Sequence, residues 1–175
     1  MHKLHELILT FFYCGKAKKA PGTVGSFASV VFWLLISLYF FNHGISLIWQ
    51  NIFWAVFLIL SFFYGVFVSP IYAKKFGQID HQTIVLDEVV GQILALHLTF
   101  LAIGQNYFLR TDLLVIHLFF CFVSFRFFDI IKPSFIGYCD RNFKNGFGVM
   151  FDDLLCGIVT AILGVFFLKL TLIIG

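Results

Sequence analysis

The residues best suited to chemistry lie in the segment 80–91, which reads DHQTIVLDEVVG. It places the carboxylates of Asp80, Asp87 and Glu88 directly before the apolar run 89–103. If the segment is helical, Asp80 and Asp87 are seven positions apart, close to two turns, so both point from one face. Carboxylates at a membrane border repel one another and resist burial unless a cation holds them together. The pattern therefore predicts half of a site for a hard metal ion.

A second polar group stands at the end of the apolar run 113–131. Arg126, Asp129 and Lys132 follow one another at intervals of three, so on a helix they form one polar stripe at the membrane border. One interpretation is an ion pair that lets the helix end reach into the lipid headgroups. The other is a metal-binding carboxylate flanked by two cations for an anionic substrate.

The segment 146–153, GFGVMFDD, leads into the last apolar run. An aspartate at the start of a helix is often an N-cap or a favourable charge at the positive end of the helix dipole. Two adjacent aspartates cannot both cap well, so we expect at least one of Asp152 and Asp153 to face the site. Gly146 and Gly148 would let the backbone fold closely beneath a phosphate or a metal.

Lysines near the N-terminus precede the sequence Pro21-Gly22-Thr23, which predicts a tight turn after a short amphipathic segment. They fit an ordinary basic cluster before a first membrane span. Lys19, Thr23 and the backbone N–H groups of the turn also suit an anion. His81 is either a proton donor or a polar residue at a helix interface. The four cysteines lie far apart and carry no zinc-type spacing, so we assign them no chemistry.

The composition places these residues in a membrane protein. Of 175 residues, 61% are hydrophobic and 12% are charged, whereas an ordinary soluble domain has about 25% charged residues. The mean hydropathy is +0.97. The net charge is +3 and the basic residues are thinly spread, so there is no footprint of nucleic-acid binding. The first 23 residues lack the apolar core and flanks of a cleaved signal peptide, and we expect them to stay on the protein.

Five apolar runs predict the fold. A helix needs about 20 residues to cross a hydrocarbon core of about 30 Å, and the runs are 24–41, 47–68, 89–103, 113–131 and 154–174. The third is short, so it must include part of 84–88 or be shielded within the bundle. Pro70 closes the second, and 132–153 is expected to be the longest polar loop. We predict an all-α, multi-pass membrane helical bundle of about five apolar helices, forming a single domain over residues 1–175.

The distribution of basic residues predicts the orientation. Lysines and arginines accumulate in 1–23, 69–83 and 132–153, whereas the two opposite connections together hold only Arg110. The positive-inside rule then places the three basic regions, and with them every polar motif, on the cytoplasmic face.

Oxygen-only ligands suit Mg²⁺, which shares its remaining positions with water and substrate phosphate. Up to six carboxylates beside Arg126 and Lys132 therefore suggest phosphoryl chemistry on a lipid headgroup, in which a metal neutralises phosphate oxygens and activates water. A cation transporter or channel could use the same carboxylates, but it should also show polar residues at mid-membrane depth or on both faces. A phosphatidyltransferase that uses CDP-alcohols would need a D-x2-D-G-x2-A-R signature, which is missing. A purely structural membrane subunit would not need this many buried charges.

The chain resembles the phosphatidylglycerophosphatase A family of bacterial, Mg²⁺-dependent lipid phosphatases. Four blocks carry the resemblance in the family's order: APGTVGSFASVVFW at 20–33, DHQTIVLDEVVG at 80–91, FRFFDIIKPSFI at 125–136 and DRNFKNGFGVMFDDLLCG at 140–157. The sequence departs from the family at 13–16, where YCGK replaces a glycine-serine-glycine stretch, and at Phe135, where a proline is usual. These departures bear on the N-terminal loop more than on the acidic residues.

The resemblance implies hydrolysis of the terminal phosphate of phosphatidylglycerophosphate at the cytoplasmic face of the bacterial inner membrane. The partners implied are this substrate and the membrane lipids, and the oligomeric state stays open. Mg²⁺ would be bound by carboxylates, among them Asp80, Asp87, Glu88, Asp129, Asp152 and Asp153. Arg126 and Lys132, with Lys19 and Thr23, would hold the phosphate. His81 or a protonated carboxylate would supply a proton to the leaving oxygen.

Overall fold

The computed structural model describes residues 2–74, 81–104 and 108–174. Within these ranges the regular structure is entirely helical, which confirms the all-α prediction. The helices are α1 (His2–Leu9), a short 3₁₀ helix (Cys14–Lys16), α2 (Pro21–Asn42), α3 (Leu47–Ala73), α4 (Leu86–Ile103), α5 (Thr111–Ile131), α6 (Ser134–Asn142) and α7 (Gly146–Ile174).

Four of these helices are long and apolar enough to cross a membrane, namely α2, α3, α5 and α7 up to Thr171. The fifth apolar helix, α4, has 18 residues and carries two carboxylates in its first turn. It packs most extensively against α7 and also contacts α2, α3 and α5. The short third run is therefore shielded inside the bundle, and about five apolar helices are confirmed.

Several predicted boundaries are wrong, each for a local reason. The Pro21-Gly22-Thr23 sequence is not a turn but the first turn of α2, where proline at the first helical position needs no N–H partner. The helix α3 continues through Pro70 to Ala73. The expected loop 132–153 contains all of α6 and the first two turns of α7. Asn145 starts α7, because its side-chain oxygen accepts a hydrogen bond of 2.9 Å from the N–H of Gly148.

Two glycines bring α4 and α7 into backbone contact. A methyl group on Gly157 would collide with the carbonyl of Gly91, and one on Gly91 would collide with the carbonyl of Asp153 and lie 2.7 Å from Phe125. Small residues allow such close approach between membrane helices. The contact fixes the first turns of α4 relative to Asp153 on α7.

The starts of α2, α4 and α7 lie at the same end of the bundle as the ends of α3 and α5. Glu88 of α4 contacts Gly22 of α2 and Arg126 of α5, and Gly146 of α7 lies against the carbonyl of Val66 in α3. We call this end the acidic end, because it holds Asp87, Glu88, Asp129, Asp152 and Asp153.

Candidate functional site

The centre of the acidic end is a guanidinium between two carboxylates. Nη1 of Arg126 lies 2.6 Å from Oδ2 of Asp129, one turn further along α5, and 3.7 Å from Oε1 of Glu88 in α4. All three side chains are 12–15% exposed. The spacing of three predicts the pair with Asp129, whereas the contact with Glu88 joins two helices that the sequence does not connect.

The first turns of α2 cover this group. A methyl group on Gly22 would collide with Oε1 of Glu88 and lie 3.2 Å from Nη1 of Arg126. Ser26, one turn further along α2, accepts a hydrogen bond of 3.3 Å from the same nitrogen. Sequence reasoning missed Ser26, although its position four residues after Gly22 places both on one helix face.

Asp87 is buried in the first turn of α4. Its Oδ1 accepts a hydrogen bond of 3.0 Å from the N–H of Glu88, and the positive end of the helix dipole favours both carboxylates there. The helical case considered for 80–91 does not apply, since residues 81–85 are not helical and α4 begins at Leu86. Asp80 lies outside the described residues, so its place in the site stays a prediction.

Asp152 and Asp153 lie in the second turn of α7 and are both about 4% exposed. Neither caps the helix, because Asn145 does. The carboxylate of Asp153 is buried and interacts electrostatically with those of Asp129, Asp87, Asp152 and Glu88. Among the described residues, Oδ1 of Asp153 and Oδ1 of Asp152 have no hydrogen-bond partner. Asp153 is thus a buried carboxylate surrounded by other carboxylates.

Lys132 does not continue the stripe of Arg126 and Asp129. It follows the last residue of α5 in a left-handed conformation, with φ at 45°. Its ammonium lies 2.6 Å from Oδ1 of Asp140 in α6 and donates a short hydrogen bond to Oδ2 of Asp152. Burial lowers the pKa of Lys132, but the neighbouring carboxylates of Asp152 and Asp140 outweigh it and hold the pKa above its ordinary value. Asp140 was missed because its segment was expected to be a loop.

The other predicted residues lie in the first turn of α2 and in the segments that precede α2 and α4. Lys19 is exposed in the segment between the 3₁₀ helix and α2, and Thr23 is half-buried in the first turn of α2. His81 lies in the turn before α4, with Nδ1 2.9 Å from Oγ1 of Thr83. A backbone hydrogen bond joins the segment before α4 to the end of α1: the N–H of Val85 donates to the carbonyl of Leu9 at 3.0 Å.

Polar groups also occur deeper in the bundle, although the sequence suggested that they crowd one face. Gln92, His97 and Thr160 are buried along α4 and α7, and His117 is buried in α5. His97 borders an apolar cavity of about 570 Å³ between α3, α4 and α7. Its lining is apolar apart from Asn51 and His97, whereas the carboxylates lie at the acidic end.

The donor chemistry of the acidic end fits a hard cation. Its side chains present carboxylate oxygens, and two of these oxygens are buried without a hydrogen-bond partner. Yet within 2–74, 81–104 and 108–174 no three His, Cys, Asp or Glu side chains converge closely enough to hold a metal ion. Arg126 and Lys132 instead form ion pairs with Asp129 and Asp152. A bound cation would have to compete with these ammonium and guanidinium groups.

An all-helical bundle with apolar helices of spanning length and a buried carboxylate cluster at one end defines an integral membrane protein with a polar site at a membrane border. The family model for Phosphatidylglycerophosphatase A matches residues 7–168. The chain belongs to this family, and so to a family of enzymes that act as lipid phosphatases.

Individual relatives agree with the family model. A Phosphatidylglycerophosphatase A of Escherichia coli (strain K12) is 32% identical over 156 residues, which cover 89% of this chain and 78% of that protein. The protein of the same name from Haemophilus influenzae is 32% identical over 157 residues, which cover 90% and 84%. A Bacteroides thetaiotaomicron protein provisionally named a phosphatidylinositol-3-phosphatase is 34% identical over 160 residues, covering 91% of each chain. No solved structure matches the chain.

Proposed function

We propose that the protein hydrolyses the terminal phosphomonoester of phosphatidylglycerophosphate to phosphatidylglycerol and phosphate, in a Mg²⁺-dependent reaction at the cytoplasmic face of the bacterial inner membrane. The observation that carries the proposal is the position of Asp153, a buried carboxylate within range of four others, one of which, Asp129, is paired with Arg126. Family membership supports the substrate, because two relatives bear the name of this activity.

The carboxylates that would hold Mg²⁺ are those of the acidic end, with Asp80 from the preceding segment. They are Asp80, Asp87, Glu88, Asp129, Asp152 and Asp153. When bound, the ion would neutralise phosphate oxygens and make water a stronger nucleophile. Without the ion, the carboxylates would repel an anionic substrate, and this repulsion supports the proposed requirement for a cation.

The cationic side chains of the chain would orient the phosphate. Arg126 offers several N–H donors in a plane and can exchange a carboxylate partner for phosphate oxygens. Lys132 offers a point charge, while Lys19 and Thr23 lie at the open edge beside the start of α2. The reaction forms a bond from a water oxygen to phosphorus, which releases one proton of that water, and breaks the bond between phosphorus and the glycerol oxygen. That leaving oxygen takes a proton, for which His81 or a protonated carboxylate is the proposed source.

The bilayer provides the remaining binding energy, since it already holds the lipid chains and only the headgroup must reach the acidic end. A cation transporter or channel built on the same carboxylates finds no support in these relatives. The relative named for phosphatidylinositol 3-phosphate suggests a second substrate of the same chemical class, a phosphomonoester on a lipid headgroup.

The test is phosphate release by the purified protein in mixed micelles. The substrates are phosphatidylglycerophosphate, phosphatidic acid and phosphatidylinositol 3-phosphate, each with Mg²⁺ or with EDTA. We expect release from the first lipid only with Mg²⁺, and its loss in Asp87→Asn. Asp112→Asn is the matched control, because Asp112 is an exposed carboxylate paired with Arg110 at the other end of the bundle. Folded protein that releases no phosphate from any of the three lipids with Mg²⁺ would refute the proposal.

A further inference from the structure

Lys132 joins three elements that meet at the acidic end. It follows α5, its Nζ lies 2.6 Å from Oδ1 of Asp140 in α6, and it also donates to Oδ2 of Asp152 in α7. The Asp152 side chain is 6% exposed and that of Asp140 is 37% exposed. A single ammonium therefore connects a surface carboxylate to a buried carboxylate of the candidate site.

The backbone places Asp140 within reach of Lys132. Lys132 and Ser134 both have φ at 45°, so the chain reverses sharply between α5 and α6. A methyl group on Gly137 would collide with the carbonyl of Lys132, which shows that α6 is pressed against the end of α5. Asp140 lies one turn after Gly137 on the same helix face.

Packing holds α6 in this position. Ile136, Gly137 and Cys139 are buried, and Ile136 belongs to a small apolar cluster with Phe125 of α5 and Cys156 of α7. The Asp140 carboxylate is thus carried by a helix that is anchored on both neighbours of the site. A long lysine side chain would otherwise sample many rotamers, and fixing it in one place requires such a second contact.

We propose that Asp140 is a positioning residue for Lys132: it holds the ammonium against Asp152 and thereby keeps both side chains in place for the reaction. This inference rests on the proposed function for its kinetic consequence. Asp140 does not touch the substrate, and it acts on the reaction through Lys132 alone. Removal of a group that orients a metal-ligating side chain typically lowers affinity or activity by about 10–100-fold, and we expect the lower end of this range for Asp140.

A double-mutant cycle on phosphate release tests the kinetic consequence. We expect Asp140→Asn to lower kcat/KM for phosphatidylglycerophosphate by about tenfold, and Asp140→Glu to recover most of the loss. In the background of Lys132→Met, Asp140→Asn should change kcat/KM by less than about twofold, because the residue through which it acts is gone. A residue that only supports folding would lower activity in both backgrounds, and that result would overturn the inference.

A second double-mutant cycle, measured by thermal unfolding in detergent, tests the contact between Asp140 and Lys132 without any substrate. The destabilisation by Asp140→Asn should be smaller in Lys132→Met than in the wild type. Gly137→Ala leaves every charge in place but forces α6 away from Lys132, so it should reproduce the kinetic effect of Asp140→Asn. Additive unfolding effects would overturn the inference. Coupled unfolding in a protein that hydrolyses none of the three lipids would support the contact and refute only the proposed function.

Discussion

Glu88 and Arg126 face each other from α4 and α5, with Oε1 of Glu88 3.7 Å from Nη1 of Arg126, directly beneath Gly22. The same nitrogen lies 2.6 Å from Asp129. One guanidinium thus contacts two carboxylates, and only a glycine leaves room above them. Because Gly22 and Ser26 contact this pair of side chains, the start of α2 belongs to the candidate site.

Gly22→Ala should impair catalysis more than stability. The added methyl group would meet the end of the Glu88 side chain, which can move, so the free energy of unfolding should change by less than about 1 kcal/mol. Displacement of a functional group by about 1 Å can reduce the rate about a hundredfold. Kinetics of phosphate release and thermal unfolding measure the two effects. Val24→Ala, an exposed neighbour on α2, is the control; equal losses in both variants would contradict the prediction.

Gly157→Ala should destabilise the fold. Here the obstacle is the backbone of Gly91, with its carbonyl carbon 3.0 Å and its Cα 3.1 Å from the new methyl group, so the two helices themselves must separate. We expect a loss of about 2–3 kcal/mol, as for an overpacked core, measured by thermal or denaturant unfolding in detergent. The new methyl group of Gly164→Ala meets side chains, Oγ1 of Thr99 at 2.9 Å and Sγ of Cys121 at 3.7 Å, and should cost clearly less. The reverse order would mean that α4 and α7 do not touch as described.

Asp153→Asn should stabilise the metal-free protein and abolish activity. The substitution removes an acidic group that is buried among four other carboxylates, an arrangement that is costly without a cation, and functional sites commonly carry such a cost in stability. In EDTA we expect a higher Tm than that of the wild type. Added Mg²⁺ should raise the Tm of the wild type, because a ligand that binds the folded state stabilises it, and it should raise that of the variant less. A lower Tm of the variant in EDTA would contradict the prediction, because it would mean that Asp153 stabilises the metal-free protein.

The contribution of Lys132 to stability should persist at alkaline pH. Its pKa in the folded protein is raised. Burial alone would lower this pKa, but the carboxylates of Asp152 and Asp140 outweigh the effect of burial. A raised folded pKa gives a contribution that is complete below the unfolded pKa of about 10.4 and is lost as pH rises through the folded value. The difference in unfolding free energy between the wild type and Lys132→Met should therefore stay constant from about pH 7 to 9 and fall only above about pH 10. Lys18→Met, in an exposed segment, is the control. A difference that falls below pH 9 would contradict the assignment.

The sequence predicts the helices well where hydropathy is the signal. The long apolar runs became α2, α3, α5 and α7, and the short run became the shielded helix α4. Mean hydropathy does not identify amphipathic or polar helices. For this reason α6 and the first turns of α7 were expected to be a loop. Asn145 was the available signal for the true start of α7, since asparagine is a preferred N-cap.

The site was predictable only within single helices. The pair of Arg126 and Asp129 follows from a spacing of three, because helix geometry alone brings those side chains together. The contacts of Arg126 with Glu88 and Ser26 depend on how three helices pack, which no local spacing encodes. The roles of the carboxylates, and the place of Asp80 among them, stay predictions.

The central position of α4 has a consequence for how the protein is made. Its first turn carries two carboxylates, and nearly all of its faces are covered by other helices, most extensively by α7. During synthesis α4 emerges well before α7, so for that interval its polar turn lacks its main partner at the membrane border. Productive insertion of α4 should therefore depend on translation of α7, and a nascent chain stopped after α5 should expose α4 to quality-control proteases.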